Sequence, residues 1–366
     1  MKRIVIFSGL RHPTGDAALA RRHDCYASAV NQKSDKQVEL YSMATRCRGT
    51  QEYKVKFLKL IDRGYSESFL QLFFFSSLWA RKLKRSEVPA VISSPDPFVL
   101  GFFVILLSKF MSGTPKIQIQ CHGDFGDKNW QRFNLKNFIF SKLAGFVLRQ
   151  ADQVRCVGKN QAEKLISAYK IDSAKIVIAP IPTKDKGDLP EWIKPKIPVV
   201  SFLGRLHKER SVDLWVKTAQ EIFSVRNDVQ FLIIGDGPER ENFQSGLNNI
   251  PANQVSFVGK LPNEEALELI AKSSLLLSTA PFESFGMAMV EAAKIGLPIV
   301  SKPTSGALDL SEGYDSISLG NSPRELAGLA LAALNRETPG VISDSLFLQS
   351  ENETVDAIVD AWIKLL

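Results

Sequence analysis

Short apolar runs rich in β-branched residues alternate with longer mixed segments along the chain. In the first half these runs predict strands at residues 2–8, 89–93, 116–121, 153–157 and 175–179. In the second half the runs recur at residues 197–203, 229–234, 254–258, 275–278 and 297–300. Because segments long enough to form helices separate the runs, the pattern predicts an α/β protein with parallel sheets.

A stretch rich in proline, glycine and charge, residues 180–190, fits neither a strand nor a helix. We expect a linker there, so that the chain forms two Rossmann-like domains at residues 1–185 and 192–345. Apolar residues at helical spacing predict a terminal helix within residues 346–366. A chain of 366 residues is also longer than one hydrophobic core usually organises, which favours two domains.

Composition indicates a folded globular protein rather than a disordered or fibrous one, since 45% of residues are hydrophobic and 23% are charged. The four cysteines are scattered singly, and no signal-peptide-like apolar segment follows Met1. The longest apolar run, residues 98–107, is well short of the roughly 20 residues that cross a bilayer. We therefore expect a cytoplasmic protein without a membrane span.

Charge is distributed unequally between the two halves. Residues 1–190 contain 31 Lys and Arg against 16 Asp and Glu, whereas residues 191–366 contain 15 against 23. The basic half suits an anionic membrane surface, a phosphorylated lipid or a nucleic acid. No helix-turn-helix, zinc-finger or RNP-type signature accompanies the charge, so nucleic acid is not an expected partner.

Two stretches of the basic half, residues 69–85 and 130–149, combine aromatic, aliphatic and basic residues. Such a segment lies on a membrane when its aromatic side chains settle at the interface and its basic ones meet anionic head groups. An ordinary core helix with a solvated basic end has the same composition. Both interpretations stay open, and peripheral attachment to the inner face of the plasma membrane follows from the first.

Candidate chemistry is concentrated in the second half. Gly204-Arg205-Leu206 directly follows a predicted strand, and Arg210 lies five residues after Arg205. Two guanidinium groups at the start of a helix suit a diphosphate, because helix N–H groups and guanidinium forks both donate hydrogen bonds to phosphate oxygens. The alternative is a solvated loop.

Two carboxylates follow another predicted strand, in the segment Glu283-Ser284-Phe285-Gly286-Met287-Ala288-Met289-Val290-Glu291. We expect Glu283 to precede a helix, Gly286 to let a ligand approach the backbone, and Glu291 to lie about a turn inside the helix. Carboxylates placed in this way accept hydrogen bonds from hydroxyl groups. The alternative is that Glu283 complements the helix dipole while Glu291 faces solvent.

These motifs together resemble glycosyltransferase family 4 in their order and spacing, from about residue 197 to residue 313. The residues that carry the resemblance are Gly204-Arg205-Leu206, Gly235-Asp236-Gly237-Pro238, Val258-Gly259, the Glu283/Glu291 pair and Gly296-Leu297-Pro298-Ile299-Val300. The resemblance implies a GT-B fold: two Rossmann-like domains facing across a cleft, with the C-terminal helix packing back on the N-terminal domain. It also implies transfer with retention of the anomeric configuration.

By this resemblance, Arg205 and Arg210 bind the donor diphosphate and Glu291 binds the ribose hydroxyls. The family usually has lysine where Arg210 stands, and arginine keeps the charge while changing its geometry. The remaining residues implied in donor binding are Glu283, Phe285, Gly286 and Met287 for the transferred sugar, and Lys260 and Leu261 for the base.

Two residues of the first half join the predicted site. His122 begins a loop after a predicted strand and resembles the family's strand-end histidine, although a lone histidine is more often structural. Gly15 stands in a loop, residues 11–16, that resembles the family's glycine-containing loop facing the donor phosphates. A GxGxxG fingerprint is absent, which argues against a dinucleotide-binding dehydrogenase.

The predicted function is a retaining glycosyltransferase that moves a hexose-type sugar from a nucleotide diphosphate to a glycan or lipid-linked acceptor in cell-surface or exopolysaccharide synthesis. A UDP-sugar is the expected donor, the first domain is expected to bind the acceptor, and His122, Arg205 and Glu283 are the predicted catalytic residues. No two aspartates are two residues apart, so the metal-binding motif of GT-A transferases is missing and we expect no metal or cofactor. A nucleotide-sugar epimerase of the same architecture and a non-catalytic binding protein are the alternatives.

Overall fold

The computed structural model describes residues 3–8, 17–42, 51–54, 59–62, 81 and 88–366. These residues divide into two structural units. The first unit contains the described residues up to Val157 together with Gln161–Pro180 and Asn352–Leu366. The second unit contains Gly158–Asn160 and Ile181–Glu351. The chain thus passes into the second unit at the start of the predicted linker.

The strands of the first unit form one sheet. In the described part of the chain they are Arg3–Ser8 (β1), Gln37–Ser42 (β2), Gln51–Lys54 (β3), Lys59–Asp62 (β4), Val91–Ser94 (β5), Lys116–Cys121 (β6), Gln153–Cys156 (β7) and Ile176–Ile178 (β8). Their order across the sheet is β3-β4-β2-β1-β5-β6-β7-β8. Only the edge pair β3 and β4 is antiparallel among these strands.

Helices cover this sheet. The described ones are Ala17–Lys33 (α1), Val99–Ser108 (α2), Lys128–Arg132 (α3), Leu135–Gln150 (α4) and Lys159–Tyr169 (α5). One core cluster joins the apolar side of β6 and β7 to α2 and α4, and includes Phe103, Ile119 and Val147, each fully buried. The second predicted aromatic and basic stretch therefore forms helices, and its inward side is an ordinary core face.

The terminal helix, Glu351–Ile363, belongs to the first unit, as the family resemblance implied. Trp362 is fully buried in a cluster with Ile4 and Val30, and its ring meets Tyr26 edge-on at 5.6 Å. Lys33 Nζ makes an ion pair with Asp360 at 2.9 Å. The last residues of the chain thus complete the core of the unit that the first residues begin. No helix among the described residues is long and apolar enough to cross a bilayer.

The strands of the second unit form a parallel sheet with the order β11-β10-β9-β12-β13-β14. The strands are Val199–Leu203 (β9), Gln230–Ile234 (β10), Val255–Gly259 (β11), Leu275–Ser278 (β12), Ile299–Ser301 (β13) and Ile317–Leu319 (β14). Numbered within the unit, this is the 3-2-1-4-5-6 order of a Rossmann sheet. The α/β class with Rossmann-like units is therefore confirmed.

The helices of the second unit pack against that sheet and against one another. They are Val212–Val225 (α6), Arg240–Gly246 (α7), Asn263–Ile270 (α8), Met287–Ile295 (α9), Ser305–Ser311 (α10) and Pro323–Ala333 (α11). Trp215 of α6 is fully buried against Phe243 of α7, with 4.9 Å between ring centroids. Its indole Nε1–H donates to the Leu277 carbonyl at 3.1 Å, which satisfies the one polar group of this large side chain.

The structure also contains strands that the apolar pattern did not predict. β2 carries Glu39, which is 2% exposed and interrupts the apolar run. Arg3 of the neighbouring β1 donates to Glu39 Oε2 at 3.0 Å. A buried charge is tolerated when it is paired in this way, so a strand can contain one although the sequence pattern does not show it.

Candidate functional site

The predicted donor residues gather at one place in the second sheet. β9 lies between β10 and β12, so the chain winds outward in opposite directions from the β9/β12 pair. Ligands of open α/β sheets bind outside the carboxyl ends of the strands at such a switch point. The loops that follow β9 and β12 carry Arg205 and Arg210 on one side and Glu283 on the other.

Glycines let the loops after β9, β10 and β11 lie side by side. Gly204 N–H donates to the Ile234 carbonyl at 3.0 Å, and Gly235 N–H donates to the Gly259 carbonyl at 2.8 Å. Gly235 has a φ of +139°, and a Cβ there would stand 1.8 Å from the Gly204 carbonyl oxygen. Only glycine fits this position, which explains structurally why the motif Gly235-Asp236-Gly237-Pro238 begins with glycine.

The two arginines differ in their surroundings. Arg205 is exposed, and its guanidinium makes no hydrogen bond or ion pair among the described residues. Arg210 ends a short 3-10 turn, Lys208–Arg210, and Thr279 Oγ1 donates to its carbonyl at 2.9 Å. The guanidinium of Arg210 forms a close ion pair with Glu283 Oε2, in which both side chains are partly buried. The structure therefore brings together two predicted site residues that are 73 positions apart.

Glu283 leads into the start of α9. Gly306 N–H donates to the Glu283 carbonyl at 2.8 Å and fixes the backbone there. Phe285 is buried, and Gly286 caps the helix in the left-handed region at φ +76°. Among the described residues, no hydrogen bond uses the N–H of Gly286 or Met287. These N–H groups at a helix N-terminus can donate to an anion or a hydroxyl group.

Glu291 lies in the middle of α9 and is 9% exposed. Burial raises the pKa of its carboxyl to about 7, while the charge of Lys184 and a hydrogen bond from Asn263 Nδ2, at 3.0 Å, oppose the rise. Lys184 is held in place because its carbonyl accepts from the buried Lys294 Nζ at 3.1 Å. The second carboxylate therefore does not face solvent; it titrates near neutral pH beside an amide and a cation.

Lys260 and Leu261 lie between the end of β11 and the start of α8. Lys260 is exposed and Leu261 is half-buried. The loop follows Gly259, whose carbonyl accepts from the neighbouring glycine loop, so these residues belong to the same row of strand ends as Arg205. Within the described ranges, no three His, Cys, Asp or Glu residues stand close enough to hold a metal ion.

The predicted residues of the first half belong to the other unit. His122 directly follows β6, is exposed, and its Nε2 lies 3.0 Å from Gln120 Oε1. Gly15 and the stretch 69–85 lie outside the described residues, apart from Arg81. The structure thus groups the donor residues in the second unit and places His122 at a strand end of the first.

Residues 197–336 match the family model described as glycosyl transferases group 1. This segment belongs to that family. The matched range contains Arg205, Arg210, Glu283 and Glu291, which confirms the resemblance that these motifs carry.

Two of the proteins similar in sequence to this chain carry the name of an N-acetylglucosaminyltransferase. The phosphatidylinositol N-acetylglucosaminyltransferase GPI3 subunit of Saccharomyces cerevisiae is 27% identical over 187 residues, which cover 47% of this chain and 40% of the relative. The 2-deoxystreptamine N-acetyl-D-glucosaminyltransferase of Niallia circulans is 30% identical over 158 residues, 43% of this chain and 40% of the relative. The chain thus spans about two fifths of the length of each.

Solved structures match nearly the whole chain. Sucrose-phosphate synthase from Thermosynechococcus elongatus is similar with a TM-score of 0.69 at 14% identity, covering 100% of this chain and 96% of that one. The lipopolysaccharide outer core galactosyltransferase WaaB, in its apo form, has a TM-score of 0.65 at 18% identity, covering 98% and 95%. The Anabaena protein HepE in complex with UDP and glucose has a TM-score of 0.64 at 15% identity, also covering 98% and 95%. These similarities confirm the GT-B fold beyond the group 1 domain.

Sequence reasoning missed some residues that surround the candidate site. Asn263, which donates to Glu291, stands in a polar run after Pro262 that has no motif signal. Thr279 follows β12 directly, so its place at a strand end was the available clue. Lys184 lies in the predicted linker, where charge suggested only solvation.

Proposed function

We propose that the protein is a retaining, metal-independent glycosyltransferase that moves a hexose-type sugar from a nucleotide diphosphate donor to a glycan or lipid-linked acceptor. The observation that carries the proposal is the ion pair of Arg210 with Glu283 at the switch point of a Rossmann sheet. Cations and a carboxylate meet there beside a helix start, and a sugar diphosphate needs all three: positive charge for phosphate, acceptors for hydroxyls, and N–H donors.

In the proposed donor complex the diphosphate replaces Glu283 as the partner of Arg210. A phosphate group, like a carboxylate group, accepts two parallel hydrogen bonds from one guanidinium. The exchange releases the Glu283 carboxylate to accept hydrogen bonds from the transferred sugar, together with N–H groups at the start of α9. Glu291 takes the ribose hydroxyls, and the loop at Lys260 and Leu261 contacts the base.

The proposed chemistry is electrostatic. As the bond between the anomeric carbon and the diphosphate breaks, negative charge grows on the leaving oxygen, and Arg205 with Arg210 neutralises it. The acceptor hydroxyl attacks from the face that the leaving group vacates and gives its proton to the departing phosphate oxygen, so the anomeric configuration is kept. Neither step calls for a bound metal or an organic cofactor.

A UDP-sugar is the proposed donor, and support comes from the structural neighbour HepE, which is solved with UDP and glucose. Thermal melting with UDP, GDP, ADP and CDP tests this choice. A ligand at 100 times its Kd stabilises the protein by about 2.7 kcal/mol, which shifts the melting temperature measurably. UDP is expected to give the largest shift, and a larger shift with another diphosphate would overturn the choice of base.

The transfer itself is tested with Arg205→Ala and Glu283→Ala. Arg205→Ala removes a donor to the developing charge, and such a loss costs roughly 100-fold or more in kcat. Glu283→Ala removes the proposed acceptor for the sugar hydroxyls and is also expected to lower turnover. The matched control is Arg226→Ala, because Arg226 is a partly exposed arginine of the same unit that pairs with Asp228. Unchanged turnover in both site variants would refute the assignment.

The product distinguishes the proposal from its alternatives. NMR of the isolated glycoside is expected to show the anomeric configuration of the donor, and an inverted product would refute retention. An epimerised nucleotide sugar formed without acceptor would instead show an epimerase. Activity that persists in EDTA is expected, and its loss with recovery on adding a divalent cation would refute metal independence.

We also propose that the first unit works on an anionic membrane surface at the cytoplasmic face, where a lipid-linked acceptor of cell-surface polysaccharide synthesis is available. Helix α4 exposes an apolar stripe at helical spacing: Leu135 is 75% exposed, Phe138 51% and Ile139 55%. Exposed Lys136 and Lys142 flank the stripe, so it can insert while cations meet head groups.

Flotation with vesicles tests the membrane proposal. The protein is expected to float with vesicles that contain phosphatidylglycerol and to remain behind with purely zwitterionic ones. Ile139→Glu is expected to abolish flotation, whereas Val225→Glu, at a residue 73% exposed in the second unit, leaves it unchanged. Equal flotation with both vesicle types, or no effect of Ile139→Glu, would refute the proposal.

A further inference from the structure

A row of polar side chains runs through the interior of the first unit. Ser93 of β5, Gln118 and Gln120 of β6, and Gln153 and Arg155 of β7 are each no more than 7% exposed. Strand register places Ser93 beside Gln118, Gln118 beside Gln153, and Gln120 beside Arg155. Because residues two apart on a strand share a face, His122 continues the same row at the end of β6.

One end of the row is fixed by the terminal helix. Trp362 Nε1–H donates to Gln118 Oε1 at 2.6 Å, and Gln153 Nε2 donates to the Ala361 carbonyl at 3.1 Å. An indole N–H can only donate and a peptide carbonyl can only accept, so each contact decides which way its glutamine amide points. Gln118 Nε2 then donates to Gln153 Oε1 at 2.6 Å, consistent with both orientations.

The other end of the row is fixed by Arg155. Its Nη1 donates to Gln120 Oε1 at 2.8 Å, and its Nε donates to the Ala179 carbonyl at 3.0 Å. A guanidinium has no acceptor, so the Gln120 atom facing it is the oxygen. Gln120 Nε2 then donates to Ser93 Oγ at 2.7 Å, and Ser93 Oγ donates to Gln118 Oε1 at 2.8 Å. Donors and acceptors alternate correctly along the whole row.

This alternation determines the protonation of one histidine nitrogen. His122 Nε2 lies 3.0 Å from Gln120 Oε1, an oxygen that can only accept. The nitrogen must therefore carry the proton. Gln161 steadies the backbone on both sides of the ring, since its Nε2 donates to the Cys121 carbonyl at 3.0 Å and the Gly123 carbonyl at 2.7 Å.

We infer that Gln120 and Arg155 are positioning residues that hold the His122 ring in its Nε2–H tautomer, with Nδ1 as the acceptor nitrogen. In the transferase proposed above, and only if that proposal holds, Nδ1 is the nitrogen through which His122 accepts a hydrogen bond from a substrate hydroxyl. The tautomer itself does not depend on the proposed function.

Nitrogen NMR tests the tautomer directly. The chain has four histidines, so a long-range ¹H–¹⁵N spectrum of ¹⁵N-histidine-labelled protein is simple, and the signals missing in His122→Asn assign the ring. At a pH high enough for the imidazole to be neutral, the expected pattern is a protonated Nε2 and an unprotonated Nδ1. A protonated Nδ1 in the wild-type protein would overturn the inference.

Variants test the positioning role. Gln120→Leu removes the acceptor and is expected to give a mixture of both tautomers, whereas Gln120→Glu keeps an acceptor oxygen and is expected to keep the Nε2–H form. Gln150→Leu, at an exposed glutamine of the same unit, is the control and leaves the spectrum unchanged. If Gln120→Leu does not fold, Arg155→Met is recorded instead and is expected to shift the tautomer ratio. An unaltered ratio in whichever of the two variants is recorded would overturn the inference.

Activity measurements separately test whether His122 accepts a hydrogen bond from a substrate hydroxyl. Asparagine can place its amide oxygen near the Nδ1 position, whereas glutamine reaches towards Nε2. His122→Asn is therefore expected to keep at least 10-fold more kcat/KM than His122→Gln, and the reverse order would overturn the acceptor role. If wild-type protein has no transferase activity at all, the proposed function fails while the NMR result on the tautomer still stands.

Discussion

Replacing Glu291 by glutamine is expected to stabilise the second unit while weakening donor binding. The carboxyl is 9% exposed, and burial raises its pKa from 4.5 to about 7. Above pH 7 the folded protein therefore keeps a charge in a place that disfavours charge. Glutamine has the same shape, still accepts from Asn263 and carries no charge, so the desolvation cost disappears. In the proposed donor complex, however, the ribose hydroxyls lose an ionised acceptor.

The sign and size of the expected change in stability follow from proton linkage. Because the folded pKa is the higher one, the folded state binds more protons than the unfolded state, and stability falls as pH rises from about 4.5 to 7. One pKa unit is 1.36 kcal/mol, so the cost is about 1 kcal/mol at about pH 5 and about 3 kcal/mol at about pH 8. With roughly 2–4 °C per kcal/mol for a unit of this size, Glu291→Gln should melt roughly 6–12 °C higher at about pH 8.

Thermal melts of both proteins at about pH 5 and pH 8 measure this difference, and UDP titrations at the same pH values measure binding. Glu268→Gln, at an exposed carboxylate of the same unit, is the control and should show no pH-dependent gain. Lys184→Met removes the cation that opposes the rise in the Glu291 pKa, so it should increase the melting advantage of the glutamine variant. A melting difference that stays constant between the two pH values would refute the reasoning.

Two further changes test the packing that supports the site. Gly235→Ala is expected to cost about 3 kcal/mol or more, because its Cβ would lie 1.8 Å from the Gly204 oxygen at a φ of +139°; a melting temperature within 2 °C of wild type would contradict this. Trp362→Phe is expected to cost about 2–4 kcal/mol through a lost hydrogen bond to Gln118 and a cavity, measured by urea unfolding; an unchanged midpoint would show that the indole N–H is not needed.

The sequence predicts the second unit well because its signals are local. Buried parallel strands appear as apolar runs, and the glycine and glutamate motifs stand at strand ends and at a helix start, where short-range geometry decides their place. The Glu283 to Glu291 segment is predicted in the correct register for the same reason: Glu283 precedes α9 and Glu291 lies inside it. What the motifs do not show is that Arg210 and Glu283 pair, since that contact joins loops after different strands.

The first unit shows where a local pattern is ambiguous. In β6 the alternation of isoleucine with Gln118 and Gln120 is typical of a strand with one solvated face, yet both glutamines are buried. Trp362 of the terminal helix contacts Gln118, and Arg155 and Ser93 contact Gln120. Nothing in the six residues of β6 records these distant partners. Helix α4 is ambiguous in another way, because it has a buried core side and an exposed apolar stripe. The core-helix interpretation is confirmed for its inward side, and the membrane interpretation stays a prediction.

The contact between Trp362 and Gln118 joins residues 244 positions apart in the sequence. This separation affects the order in which the two units can fold during synthesis. During synthesis the strands of the first unit leave the ribosome long before the helix that completes them. Residues 158–160 and 181–351 belong to a unit that contains neither terminus, so we expect this unit to fold meanwhile. Until the terminal helix follows, Gln118 and Gln153 lack the partners that Trp362 and Ala361 supply in the folded unit.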